Sequence, residues 1–271
     1  MADLDGVYAK LGRARVHARD LKERVDFALE SSRYGVLGQF NSQTSQYVYR
    51  VERLPVIDPE WGLILGDFLT NMRAALDHLY YQLPKLENAD PAEHDGFPIV
   101  DCPKVNGETG LIRPPRVVGV TEVGVLDALE AVQPYKAAVP ANNWLSVLNV
   151  LVNTDKHRLL LVVACSVDTD LMWWGLQDGA VAPEPTFNFE ALKQGDEIVR
   201  FDFKGTQPDK RFDPHVALQV RLDPPTGPQK WVSLEGVVRS IYEHVQGSVL
   251  NRHFVGFFGE QPRYGTNAFS P

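Results

Sequence analysis

Apolar residues at Leu4, Val7, Leu11, Ala14, Ala18, Leu21, Val25 and Ala28 alternate spacings of three and four without a break, which predicts a long helix with one narrow seam. Ala14 and Ala18 lie at mid-seam and are small, so a partner helix can approach closely there, either from this chain or from a second copy across a two-fold axis. The period then changes. Tyr47, Tyr49 and Val51 alternate with Val48, Arg50 and Glu52 behind the polar run Asn41 to Ser45, and the pattern predicts a β-hairpin near 36–54 inserted between helices.

Asp58-Pro59-Glu60 is a helix start: a capping carboxylate, a proline where its missing N–H costs nothing, then an acid in the positive first turn. The helix that follows carries Trp61, Leu65, Phe68, Met72, Leu76, Leu79 and Leu83 on one face and ends at Pro84. Residues 84–115 are rich in Pro, Asn, Asp and Gly and read as a long irregular connection. Two shorter helices are expected at about 121–133 and 143–157, the second carrying Trp144, Leu145, Leu148, Leu151 and Val152.

Beyond His157 the segments Leu159 to Val167, Leu171 to Gly175, Glu197 to Phe203, Val216 to Leu222 and Trp231-Val232 are β-like. A last helix starts at Ser233 as N-cap and runs through Leu234, Val238, Ile241, Val245 and Val249. The fold expected is α+β: a helical bundle over 1–157 with the hairpin insertion, an antiparallel sheet and closing helix over 158–256 packed on it, and an irregular tail over 257–271.

Charge and composition narrow the function. The 271 residues hold 27 Lys and Arg against 35 Asp and Glu, a net charge of −8, so no global basic field is present to hold nucleic acid and a polyanion would need a local patch. Arg15, Arg19 and Lys22 make one basic row on the first helix, which reads more simply as a solvated face beside the seam. Only Cys102 and Cys165 are present, which excludes a disulfide scaffold and a cysteine-built zinc module. The start of the chain is acidic and no apolar run reaches the ~20 residues that span a bilayer. A soluble cytoplasmic protein is expected. Walker-type, dinucleotide-binding, HExxH, CxxC and GxSxG motifs are absent, so no cofactor and no metal is expected.

Two polar clusters interrupt core-like segments. On the helix after Asp58, Asp67, Asn71 and His78 share a stripe about 40° wide, with Ala74 between them, and Arg73 and Asp77 form an i,i+4 pair on the adjoining flank. The second cluster is Asn153-Thr154-Asp155-Lys156-His157-Arg158, where helix gives way to strand. It reads either as a charged cap favoured by the helix dipole or as an anion site. The two helices are expected to lie side by side with Arg73/His78 and Lys156/His157 facing a common space.

The runs Leu65 to Leu83, Phe97 to Ile99, Leu129 to Tyr135 and Leu148 to Arg158, with their RxxLDH and NxDKHR motifs, resemble a widespread family of uncharacterised bacterial and phage-associated proteins. That resemblance covers most of the chain and implies no particular activity. Arg73 to His78, read as RxxxxH on a long bundle helix, is also similar to the signature of HEPN (higher eukaryotes and prokaryotes nucleotide-binding) domains, many of them metal-independent endoribonucleases with sites at a dimer interface. This resemblance implies Arg73 and His78 as catalytic residues acting on an RNA phosphodiester in a homodimer. His78 would move a proton and Arg73 would face the phosphate charge. Asn71 and Asp77 would orient them, with Asn153, Lys156, His157 and Arg158 in support. Two alternatives stand beside it: a non-catalytic binding or assembly module whose polar clusters are structural, and a metal-dependent bundle enzyme resembling the DinB-like group.

Overall fold

A computed structural model describes residues 1–31, 34–91, 96–103, 105, 107, 115–165, 183–188, 190–205, 218–223 and 232–263. The protein is α+β. Helix α1 spans Asp5–Ser31 and α2 spans Glu60–Gln82, with the hairpin β1 (Gly35–Asn41) and β2 (Gln46–Arg53) between them. The shorter helices α3 (Val123–Ala131) and α4 (Trp144–Asp155) follow, then strands β3 (Leu161–Cys165), β4 (Glu184–Phe187), β5 (Glu197–Asp202) and β6 (Gln219–Asp223). Helix α5 (Leu234–Glu243) comes next and continues as a π-helix over His244–Phe254. The expected strands at Leu171–Gly175 and at Trp231 lie outside the described residues. Among the described residues, no helix is long and apolar enough to cross a membrane.

The seam of α1 is buried inside the chain. Leu4, Val7, Leu11, Ala14, Ala18 and Leu21 are all at most 3% exposed, and α1 packs along α2, so the close approach at Ala14 and Ala18 is satisfied intramolecularly. Asp58 accepts the Glu60 N–H at 2.9 Å, Asn143 accepts Leu145 N–H at 2.9 Å, and Ser233 accepts Gly236 N–H at 3.0 Å. Each of these side chains satisfies one donor that a helix start leaves without a partner.

Two cores form. The larger gathers the buried faces of all five helices and the π-helical segment, and takes in Val162 of β3 and Val220 and Leu222 of β6, which pair as a separate two-stranded sheet. The smaller belongs to a four-stranded antiparallel sheet of order β1-β2-β5-β4 and contains Tyr49, Val51, Ile198, Val199 and Phe201. The hairpin is thus half of a larger sheet, with Tyr49 of β2 opposite Val199 of β5. Both cores draw residues from either side of position 158.

Candidate functional site

On α2 the polar residues divide between two sides of the helix. Arg73 Nη2 donates to the main-chain oxygen of Phe97 at 2.8 Å, and its Nε donates to Asp77 Oδ2 at 3.3 Å. Asp77 Oδ1 in turn accepts the N–H of the same Phe97 at 2.9 Å and lies 3.0 Å from Arg73 Nη2. The i,i+4 pair therefore grips both polar groups of one peptide residue, twenty positions along the chain from Asp77. Gly96 makes room for it: a Cβ there would stand 2.9 Å from both Arg73 Nη2 and Asp77 Oδ1.

The other stripe residues make local contacts. Asn71 Nδ2 bonds back to the carbonyl of Asp67 at 2.8 Å, within its own helix. His78 is exposed and lies over the first turn of α1, with Nδ1 2.6 Å from where a Cβ on Gly6 would be. Five helical residues turn the chain through about 500°, so His78 sits roughly 140° around the axis from Arg73. The two predicted catalytic side chains do not converge within the chain.

Helix α4 does pack beside α2, and two glycines of α2 one turn apart admit the end of α4 and the segment that follows it. A Cβ on Gly62 would collide with the main-chain oxygen of Leu160, and a Cβ on Gly66 would stand 2.6 Å from both carboxylate oxygens of Asp155. Asn153, Lys156, His157 and Arg158 are all exposed at the end of α4, while Thr154 bonds back to the Val150 carbonyl at 2.8 Å. The contact at Gly66 fixes the level of this cluster along α2: Arg73 is about 10 Å further along and His78 about 18 Å, at 1.5 Å per residue. Arg73 and His78 thus lie at other levels of the helix pair, and the stripe meets this cluster at Asp67.

The feature that sequence reading passed over is the approach of Asp155 to Asp67. Burial, and after it the charge of Asp67, raise the Asp155 carboxyl above its ordinary value. The signal was present as Gly62-x-x-x-Gly66, two glycines one turn apart inside a helix, where close approach of another element is the common reason. A raised folded-state value means that the folded chain binds this proton more tightly than the unfolded chain. Stability is therefore lost as pH rises through the carboxylate range. Asp155→Asn is expected to stabilise the protein at neutral pH by no more than about 1 kcal/mol, because solvent screens the carboxylate. The gain should vanish below about pH 3, where both states are protonated. Denaturant unfolding of the two proteins across pH 3–8 checks this, and a variant no more stable at pH 7 removes the charge repulsion.

Among the described residues, no three His, Cys, Asp or Glu side chains gather where they could hold a metal ion. Compared with protein-family models, curated proteins and solved structures, the chain matches none.

Proposed function

We propose that the chain is a non-catalytic binding and assembly module in which the Arg73–Asp77 pair is structural. The observation that carries this reading is the double grip on Phe97, which occupies the Arg73 guanidinium with Asp77 and a main-chain oxygen. A bidentate phosphate clamp through Nε and Nη2 would cost Arg73 the bonds that seat Phe97. The Arg73 and Asp77 side chains are 23% and 39% exposed, intermediate between a surface ion pair and a buried one. The ribonuclease reading needs Arg73 and His78 to reach one phosphate, and their separation around α2 leaves that to a second copy.

Incubating single-stranded RNA with the wild type, Arg73→Ala and His78→Ala, with and without chelator, separates the readings. The binding reading expects no cleavage by any of them. Arg73→Ala should lower stability by about 1–3 kcal/mol, because it leaves the Phe97 carbonyl and Asp77 short of a partner. His78→Ala should stay within about 0.5 kcal/mol of wild type, as an exposed side chain does. Cleavage that survives chelation and is lost in either variant at unchanged melting temperature would overturn the reading. Cleavage that chelation abolishes and a divalent ion restores would favour the metal-dependent alternative.

A further inference from the structure

The carboxyl-terminal end of the described chain is held by an arrangement that the reading above does not use. Gln246 and Asn251, each only 9% exposed, project from the π-helical segment and aim their amide nitrogens at one atom, the main-chain oxygen of Arg263. Gln246 Nε2 donates at 3.0 Å and Asn251 Nδ2 at 3.1 Å. The Arg263 guanidinium lies 4.0 Å over the ring of Tyr8 on α1 and is steadied by Glu260 at 2.9 Å. Gln261, Pro262 and Arg263 are themselves exposed, so this segment lies on the surface while its receptor is buried.

The receptor is only half used. An asparagine carboxamide offers a donor and an acceptor side by side, which matches the C=O and N–H of an extended peptide. Here the donor is engaged, while Asn251 Oδ1 and the Tyr8 hydroxyl are buried without a hydrogen-bond partner among the described residues. Buried polar atoms are nearly always paired, and those that are not call for an explanation. Burial, then the Glu260 charge, raise the Tyr8 phenol above its ordinary value, against a lowering by Arg263, so it remains a protonated donor at neutral pH.

We propose that Gln246, Asn251 and Tyr8 form a main-chain receptor for an extended, arginine-bearing peptide of a partner, and that residues 260–263 are its resident occupant in cis. The peptide group binds the two carboxamides, and the arginine stacks on Tyr8 as Arg263 does. A partner segment that also offers an N–H to Asn251 Oδ1 satisfies more of the receptor than residues 260–263 do, and displaces them. The proposal gives the binding reading a ligand class but does not stand or fall with it. RNA cleavage would overturn that reading and leave this receptor untouched, and a failed peptide titration would do the reverse.

The test is fluorescence anisotropy with a labelled, end-capped peptide of the sequence of residues 258–265, titrated with the full chain. Saturable binding is expected. Arg263→Ala in the chain weakens the tethered competitor and should tighten the added peptide by about tenfold, whereas the same change in the peptide should weaken it by about tenfold. Asn251→Leu should abolish binding. If circular dichroism finds that variant unfolded, Tyr8→Leu, at a half-buried position, takes its place and should weaken binding at least as much as loss of the peptide's arginine. Lack of saturation with the Arg263→Ala chain, or binding indifferent to Tyr8 and to the peptide's arginine, overturns the proposal.

Discussion

Phe97→Ala is expected to destabilise the protein by about 3–5 kcal/mol, the range for truncating a fully buried aromatic ring. Phe97 is 1% exposed, and its ring meets Tyr80 at 6.5 Å and Phe254 at 6.4 Å, both edge to face. It thereby joins α2 to the π-helical segment. Its backbone is the group that Arg73 and Asp77 hold, so ring and backbone depend on one another. Loss of the ring removes the reason for the loop to lie against α2, and the ion pair becomes an ordinary exposed one. In a chain of this size the loss corresponds to a fall in melting temperature of roughly 6–20 °C. A double-mutant cycle with Arg73→Ala should give a coupling of about 0.5 kcal/mol or more. Strict additivity would mean that the grip and the ring act separately, and would remove the structural role given to Arg73.

The second large effect concerns Gly62. In a helix interior, glycine to alanine ordinarily stabilises by about 0.5–1 kcal/mol. At Gly62 the sign should reverse, to a loss of about 1–3 kcal/mol, because the new methyl meets the main-chain oxygen of Leu160, which cannot swing aside as a side chain can. Gly12 on α1 supplies the control: a Cβ there meets nothing within 4 Å, so Gly12→Ala should give the ordinary gain. Chemical denaturation of the two variants reads both signs. A Gly62→Ala protein as stable as wild type would mean that the segment of Leu159 and Leu160, which follows α4, does not press on the start of α2.

What the sequence made legible follows the range of each interaction. The α1 seam, the Asp58 start and the Ser233 cap depend on neighbours within a turn or two, and the apolar spacing or capping side chain reveals them directly. Strand β4 was not foreseen. It is four residues long, contains Pro185 and lies at the edge of its sheet, where proline is tolerated but the strand signal is weak. The closing helix was legible as a helix, but its change of winding at His244 was not, since apolar spacing through Val249 fits an α-helix as well.

The site shows the same limit. Arg73 and Asp77 were visible as a pair because they lie four residues apart, but what they hold was not, because Phe97 reaches them across a loop without periodicity. Asp155 and Asp67 come from different helices, and only the glycine at 66 hinted that a neighbour would come so close. The two amides under Arg263 read as ordinary polar positions of a helix, since nothing local marks them as buried.

The four-stranded sheet bears on how the chain is made. Its hairpin contacts are local, yet the inner edge of β2 pairs with a strand whose residues lie 150 positions later, as Tyr49 opposite Val199 shows. At about 5–20 residues per second, a ribosome finishes β1 and β2 roughly 8–30 s before β5 exists to cover that edge. During this interval α1 and α2 can already close on each other, while β2 presents open hydrogen-bonding groups and Tyr49 and Val51 to the surroundings. A nascent chain of this kind has a defined period of exposure to strand-to-strand association, set by the order of its segments and independent of the stability of the finished fold.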